Sequence, residues 1–166
     1  ELYGGQGTNG PTATDPCSSR QPAGQQTAAV RALCIATGVP ANLVFDPAVQ
    51  PTNFLTQIVG GNPNLKAESS HTFTFGAVYA PKDIPGLQVS LDYYRITLDD
   101  AISTLGGGGI QSVLNLCYNT IQNAGSVYCK AINRDPLTGQ IAAPTYVMTT
   151  AANIGGIKTS GFDLAG

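Results

Sequence analysis

HTFTFGAVYAPKDIPGLQVSLDYYRITL, residues 71–98, alternates apolar and polar side chains on both sides of a short break bounded by prolines. In its first half Phe73, Phe75, Ala77 and Tyr79 fall on one face, and Thr72, Thr74 and Gly76 on the other. In its second half Leu87, Val89, Leu91 and Tyr93 oppose Gln88, Ser90 and Asp92. A period of two marks a strand, because successive Cβ atoms of an extended chain point to opposite faces. Pro81-Lys82-Asp83-Ile84-Pro85-Gly86 is then a turn between two antiparallel strands. Past Tyr93 the parity changes, with Tyr94, Ile96 and Leu98 apolar, which points to a bulge near Tyr93-Tyr94 or a change of surroundings.

Outward from this pair the chain is irregular. Residues 4–61 are dense in Gly, Pro, Gln and Thr. Within them Gln25 to Thr37 (QQTAAVRALCIAT) reads as a short helix, stopped by Gly38 and Pro40. A second long region, 99–152, carries Gly106 to Gly109 and then a helical turn over Ile110 to Tyr118. Further on, Asp135-Pro136-Leu137-Thr138-Gly139 is a turn that predicts a small hairpin between Ala131-Ile132 and Gln140-Ile141. Asn153 to Leu164 is a weaker strand with three glycines. A short turn at one end of the strands and long loops at the other is the layout of an outer-membrane barrel. Ten residues at ~3.3 Å, tilted ~40°, climb roughly 25 Å, the height of a barrel's apolar band. Alternation alone does not separate this from a soluble sandwich.

Composition narrows the function. Eight Lys and Arg stand against ten Asp and Glu, 11% charged in all, which argues against nucleic-acid binding. No stretch reaches the ~18 apolar residues of a membrane-spanning helix. The chain opens at Glu1 without a methionine or basic leader and closes just after Gly161-Phe162-Asp163-Leu164, which reads as strand, so an internal fragment is expected.

Cysteines stand at 17, 34, 117 and 129, with no C-x-x-C pair to begin a zinc site. Two local disulfides, Cys17–Cys34 and Cys117–Cys129, are expected, each closing a loop rich in turn residues in an oxidising compartment. Spacing does not choose among the three possible connectivities, and four buried thiols are the alternative.

Several literal motifs fail on context. Gly5-Gln6-Gly7-Thr8-Asn9-Gly10 matches G-x-G-x-x-G, but Pro11 and Pro16 deny it the following helix. Gly106 to Gly109 lacks the Lys-Ser/Thr of a phosphate loop. Ser69-Ser70-His71 has no G-x-S-x-G elbow, and Asp99-Asp100 reads as a solvated strand end without a calcium loop. No catalytic, cofactor-binding or metal-ligating residue is expected.

Residues 60–100 also resemble a known family. Gly60-Gly61-Asn62-Pro63-Asn64-Leu65-Lys66-Ala67-Glu68-Ser69-Ser70, then Ile84-Pro85-Gly86-Leu87 and Asp92-Tyr93-Tyr94-Arg95-Ile96, are similar to the barrel of TonB-dependent outer-membrane receptors. There "GNPxLKPE(T/S)" introduces a descending strand and "(I/V)PGLxxxxDYYxIxxxxAI" a periplasmic turn and the strand after it. Ala67 stands where the family usually has Pro. The likeness continues through Leu116-Cys117-Tyr118, Cys129, Arg134 to Ile141 and Asn153 to Asp163. Upstream, Glu1 to Gly5 resembles the top of an ascending strand, and Asp15-Pro16-Cys17 with Arg31 to Cys34 its disulfide-bearing loop.

The resemblance implies an all-β fold: an antiparallel meander, a segment of a transmembrane β-barrel of 22 strands around a plug, with long disulfide-bearing extracellular loops containing short helices. The whole chain, 1–166, is then a fragment of one barrel domain: strand end 1–4, loop 5–66, strand 67–80, periplasmic turn 81–86, strand 87–100, loop 101–152 and strand 153–165. Phe73, Phe75, Ala77, Tyr79, Leu87, Val89 and Leu91 should face lipid, and Asp92 the lumen with Gln88 and Ser90. Tyr93 and Tyr94 would join an upper aromatic girdle and Tyr79 a lower one. The loops should meet the solute through Asn, Gln, Thr and Tyr, and residues 106–125 should be removable without unfolding the barrel.

The implied function is transport, not enzymatic: uptake of a scarce solute such as a siderophore, glycan or cobalamin-like ligand across a Gram-negative outer membrane. Its partners would be outer-membrane lipid, a plug domain and further strands outside this chain, and TonB through that plug, with no cofactor. The rival reading is a secreted, disulfide-stapled adhesin or interaction module. An extracytoplasmic hydrolase is disfavoured, since no nucleophile and base can be assembled. A plug domain upstream and a final strand ending in an aromatic would separate the first two readings.

Overall fold

The computed structural model describes residues 5–7, as backbone, and residues 12–166. The strand end expected at 1–4 and most of the Gly5–Gly10 motif lie outside the described residues. The chain forms two compact units.

The first unit comprises residues up to Asn64 together with Ser103–Ala152. Strand β1 (Gly5–Gly7) pairs antiparallel with β2 (Gln57–Val59). Helix α1 spans Ala28–Ala36 and starts one residue after its cap, because the Thr27 side chain accepts the Val30 N–H at 3.2 Å. Residues Ala23–Gln25 wind separately as a 3-10 turn, so the helix expected from Gln25 begins later. Val30, Leu33 and Cys34 form its buried stripe, and Gly38 at φ +105° lets the chain leave. Helix α2 (Ile110–Asn115) runs into a π-helical turn, Leu116–Ile121, and α3 (Val127–Lys130) is capped by Ser126.

The glycine run before α2 is a packing device. Gly106, Gly107 and Gly108 all have positive φ, and a Cβ on Gly106 would come within 2.7 Å of the Val113 side chain. Val39, Val49, Ile110, Val113, Leu114, Tyr118, Ile141 and Val147 are fully or almost fully buried. They come from both long regions, so the two expected loops are one folded body with a common core.

Two expectations are corrected in this unit. The fold is not all-β and not wholly antiparallel: helices build much of the body, and β2 pairs in parallel with β5 (Val147–Met148). Parallel neighbours need a long crossover, and here everything from residue 60 to 146 supplies it. The hairpin expected around Asp135–Gly139 is absent. The turn forms, with the Asp135 N–H on the Gln140 carbonyl at 3.0 Å, but Ile132 bridges to Val147 instead of pairing with Ile141. The core contact of Ile132 and Val147 outweighs local pairing.

The second unit, Leu65–Ile102 with Asn153–Gly166, is built on three strands in the order β3 (Ser69–Tyr79), β4 (Val89–Thr104) and β6 (Ala151–Ala165). Strands β3 and β4 are antiparallel in one unbroken register from Ser69↔Asp99 to Tyr79↔Val89. No bulge therefore lies at Tyr93-Tyr94 in this ladder. The irregular residue of β4 is Asp100, in the left-handed region at φ +56°. Phe162 packs on Tyr93 at 5.1 Å, a Cβ on Gly161 would meet the Tyr94 ring, and Gly166 lies by Val89. These neighbours run β6 antiparallel to β4, and Gly161 makes room for the Tyr94 ring. Among the described residues the sheet is open, with no barrel closure.

The body holds the disulfides Cys17–Cys34 and Cys117–Cys129, and no cysteine is free among the described residues. Non-reducing peptide mapping is expected to return these two pairs and no cross-link between residues 12–64 and 103–152. Replacing Cys117 and Cys129 together by Ala should lower the stability of the body by about 3 kcal/mol, the loop-closure term for a ring of this size, read as faster amide exchange in residues 110–132. Unchanged exchange would show that the bridge carries no stability.

Candidate functional site

Two surfaces bear on function, the faces of the sheet and the interior and clefts of the body. In an antiparallel ladder directly opposed residues share a face. The register therefore puts Phe73, Phe75, Ala77 and Tyr79 on one face with Val89, Leu91, Tyr93 and Arg95. Phe162 joins them through its stacking on Tyr93. This face is uncovered: Phe73, Phe75, Tyr79, Leu91 and Phe162 are 48–71% exposed. Leu87 stands outside the ladder, in the turn, with its N–H on the Ile84 carbonyl at 3.2 Å.

The opposite face carries Ser70, Thr72, Thr74 and Gly76 with Ser90, Asp92, Tyr94, Ile96 and Leu98. Asp92 and Ser90 thus share a face, and Gly76 leaves the space that the Asp92 carboxylate occupies. Tyr94 lies on this second face, away from Tyr93. The joint girdle of Tyr93 and Tyr94 is corrected accordingly: with no bulge between them, neighbours on a strand diverge.

In the body, sequence reasoning missed the central cluster. Arg134 and Asp15, 119 positions apart, form a fully buried, two-pronged ion pair at 2.6 and 2.7 Å. Arg134 also donates to the Gly139 carbonyl at 2.8 Å and, through Nε and Nη2, to the Tyr118 hydroxyl at 3.3 and 3.1 Å. Its five N–H donors are all engaged. Tyr118 and Thr37 share a 2.6 Å hydrogen bond, and the Thr37 hydroxyl in turn donates to the Leu33 carbonyl at 3.0 Å. Buried Gln50 accepts the Asp15 N–H at 2.8 Å and donates to the Ala13 carbonyl at 2.6 Å. No buried polar side-chain atom is left without a partner among the described residues.

Electrostatics follow from this packing. Burial works against the charge of Arg134, but the adjacent Asp15 carboxylate more than offsets it and holds the guanidinium pKa above its ordinary value. Burial pushes the Tyr118 phenol up, with Arg134 opposing, so the hydroxyl stays neutral. Asp135 is different. Its carboxylate accepts the Thr138 and Leu137 N–H groups at 3.0 and 2.8 Å, which lowers its pKa. Its support for the turn is present above the ordinary carboxylate range and is lost as pH falls through the lowered value.

The cluster is closed to chemistry. Arg134 has no free donor for a phosphate or carboxylate, and no group of three or more His, Cys, Asp or Glu able to hold a metal occurs among the described residues. The body also has a solvent-facing recess that is lined without charge. A cleft of about 280 Å³ is lined by Gly24, Gln25, Thr27 and Val30 from the first long region and Asn119 and Gln122 from the second.

Long antiparallel strands with one uncovered apolar face, connected in sequence first by a short turn and then by a long folded segment, are the marks of a β-barrel wall. The chain belongs to one family of such proteins: the profile described as TonB dependent receptor-like, beta-barrel, matches residues 41–166. That family is one of outer-membrane transporters, not enzymes, and its full receptors carry a plug domain and engage TonB. No curated protein and no solved structure matches the chain.

Arg134→Leu strands the Asp15 carboxylate in the core and is expected to cost about 3–5 kcal/mol. Arg31→Leu should change stability by less than about 0.5 kcal/mol, since that exposed guanidinium bonds only the Ala41 carbonyl. Amide exchange over residues 13–18 and 110–141 measures both, and equal protection in the two variants would show that the buried pair does not hold the body together.

Proposed function

We propose that the chain, 1–166, is a fragment of one barrel domain and forms part of the wall of an outer-membrane TonB-dependent receptor that takes up a scarce solute by energised transport. The observation that carries this reading is the uncovered apolar face of an antiparallel sheet in a chain of this family. An apolar face of that extent is stable against lipid and poorly stable against water. Phe73, Phe75, Ala77, Tyr79, Leu87, Val89 and Leu91 are then lipid-facing, and Asp92 and Ser90 face the lumen. Residues 81–86 form the periplasmic turn, and the body is extracellular, in the place where a solute is first met. TonB acts through the receptor's plug.

The body supports a neutral, hydroxyl-rich solute, a polyol or glycan, more than an anionic chelate. Its fully buried arginine is already satisfied, and the open cleft presents amides and a hydroxyl. Such groups recognise sugars by paired donors and acceptors on one side chain. Deleting residues 106–125 would take Ile110, Val113, Leu114 and Tyr118 out of the core of the body and so report on more than the cleft. Point changes at the rim are the appropriate probe.

In the full-length receptor, Phe75→Arg is expected to impair membrane folding by about 2–4 kcal/mol, while Ser90→Arg is tolerated. Protease resistance of the folded protein in outer membranes reads this directly, and equal outcomes would overturn the assignment of faces. Asn119→Ala with Gln122→Ala should weaken uptake of a glycan and leave membrane folding unchanged. Unaltered uptake across candidate glycans would remove the cleft from recognition.

A further inference from the structure

The apolar face of the sheet ends at a line of basic side chains. Counting upward from the turn, Tyr79 faces Val89, Ala77 faces Leu91, and Phe75 faces Tyr93 with Phe162 beside it. The next row brings Arg95 opposite Phe73, and the row after that His71 opposite Thr97. Alternation back along β6 from Phe162 places Lys158 on the same face, level with Thr97. Arg95, Lys158 and His71 are all exposed, and the ion pair of Asp15 with Arg134 is the sole one among the described residues. Asp99 lies one row further out, opposite Ser69.

The height of this line matters. From Tyr79 to the level of His71 and Lys158 a strand climbs roughly 20 Å at ~3.3 Å per residue and ~40° of tilt, close to the full height of a barrel's apolar band. A cation inside the band would be costly, whereas one at its edge can extend its head to the headgroups while its stem stays in the apolar layer. Lys158 at that level and Arg95 one row below it, on the neighbouring strand, together form a basic site for anionic headgroups. Arg95 adds a planar donor fork suited to phosphate oxygens, Lys158 a point charge, and His71 a ring N–H.

We infer that Arg95 and Lys158, with His71 beside them, bind the phosphate of an anionic lipid in the outer leaflet, at the outer edge of the lipid-facing wall. This rests on the reading of the Phe75 face as lipid-facing. The occupant is a lipid and not free phosphate, because the apolar rows directly beneath the cations match acyl chains attached to the same headgroup.

The test uses the full-length receptor purified in a neutral detergent, titrated with diphosphorylated lipid A, with phosphatidylcholine and with inorganic phosphate, and read by native mass spectrometry. Lipid A should bind the Arg95→Gln/Lys158→Gln double variant roughly tenfold to thirtyfold more weakly than the parent. The Arg95→Lys/Lys158→Arg variant should retain most of the binding, which excludes general misfolding as the cause. Phosphatidylcholine should bind all three alike. Equal lipid A binding by parent and double variant, or inorganic phosphate competing as well as the lipid does, would overturn the inference. A lipid-soluble photolabel reports on the underlying reading separately. Labelling of Phe75 and Leu91 with no charge dependence of lipid binding sinks the headgroup site alone, whereas their failure to label sinks the lipid-facing assignment with it.

Discussion

The pairing of Arg134 with Asp15 is what turns two surface connections into one object. The disulfides cannot do so, since they span 17 and 12 positions and stay within their own segments. The ion pair reaches across 119 positions and is sealed from water on every side. A buried guanidinium with a missing partner is far more costly than a well-paired one, so alternative arrangements of the two segments are penalised more than the native one is rewarded. Tyr118, Thr37 and Gln50 complete the penalty by needing the same arrangement to satisfy their own polar atoms. The apolar core then fills in around a geometry that the polar groups dictate.

Charge is distributed unequally as a result. The body encloses one of its arginines and lines its cleft with amides. The sheet keeps Arg95 and Lys158 in the open, where its apolar rows stop. In a chain with only 11% charged residues, three settings for charge stand out: a sealed pair, a turn carboxylate and a basic edge.

The parts of the fold legible in the sequence were those with a short period. Strands over 71–80 and 87–98 show in the alternation of Phe73, Phe75 and Tyr79 and of Val89 and Leu91, and the structure has β3 and β4 over those residues. Helix α1 was visible from its alanines, although its start depended on the Thr27 cap. The body was not legible. Val39, Val49, Ile141 and Val147 follow no period, because irregular segments bury whichever side chain happens to point inward. Asp15 and Arg134 stood out only as neighbours of Pro16 and Asp135, and a contact over such a separation has no local signature. The change of parity after Tyr93 misled for a related reason. Ile96 and Leu98 share a face with Asp92 and Thr72, so the face is mixed and the ladder itself is regular.

The long crossover between β2 and β5 has a kinetic consequence. Residues 12–64 precede the β3–β4 hairpin in the chain, and residues 103–152 follow it. Asp15 must therefore wait for Arg134, and the buried half of α1 for Tyr118, while the intervening hairpin is made. Contacts of such high sequence separation form late and slowly, because the chain must close a long loop before they reward it. During that interval the first segment holds an unpaired carboxylate and an uncovered apolar stripe on α1, with Cys17 and Cys34 able to meet locally. Closure of the local bridge shortens the list of conformations through which the segment waits, so the nearer disulfide acts as a placeholder for a partner still distant along the chain.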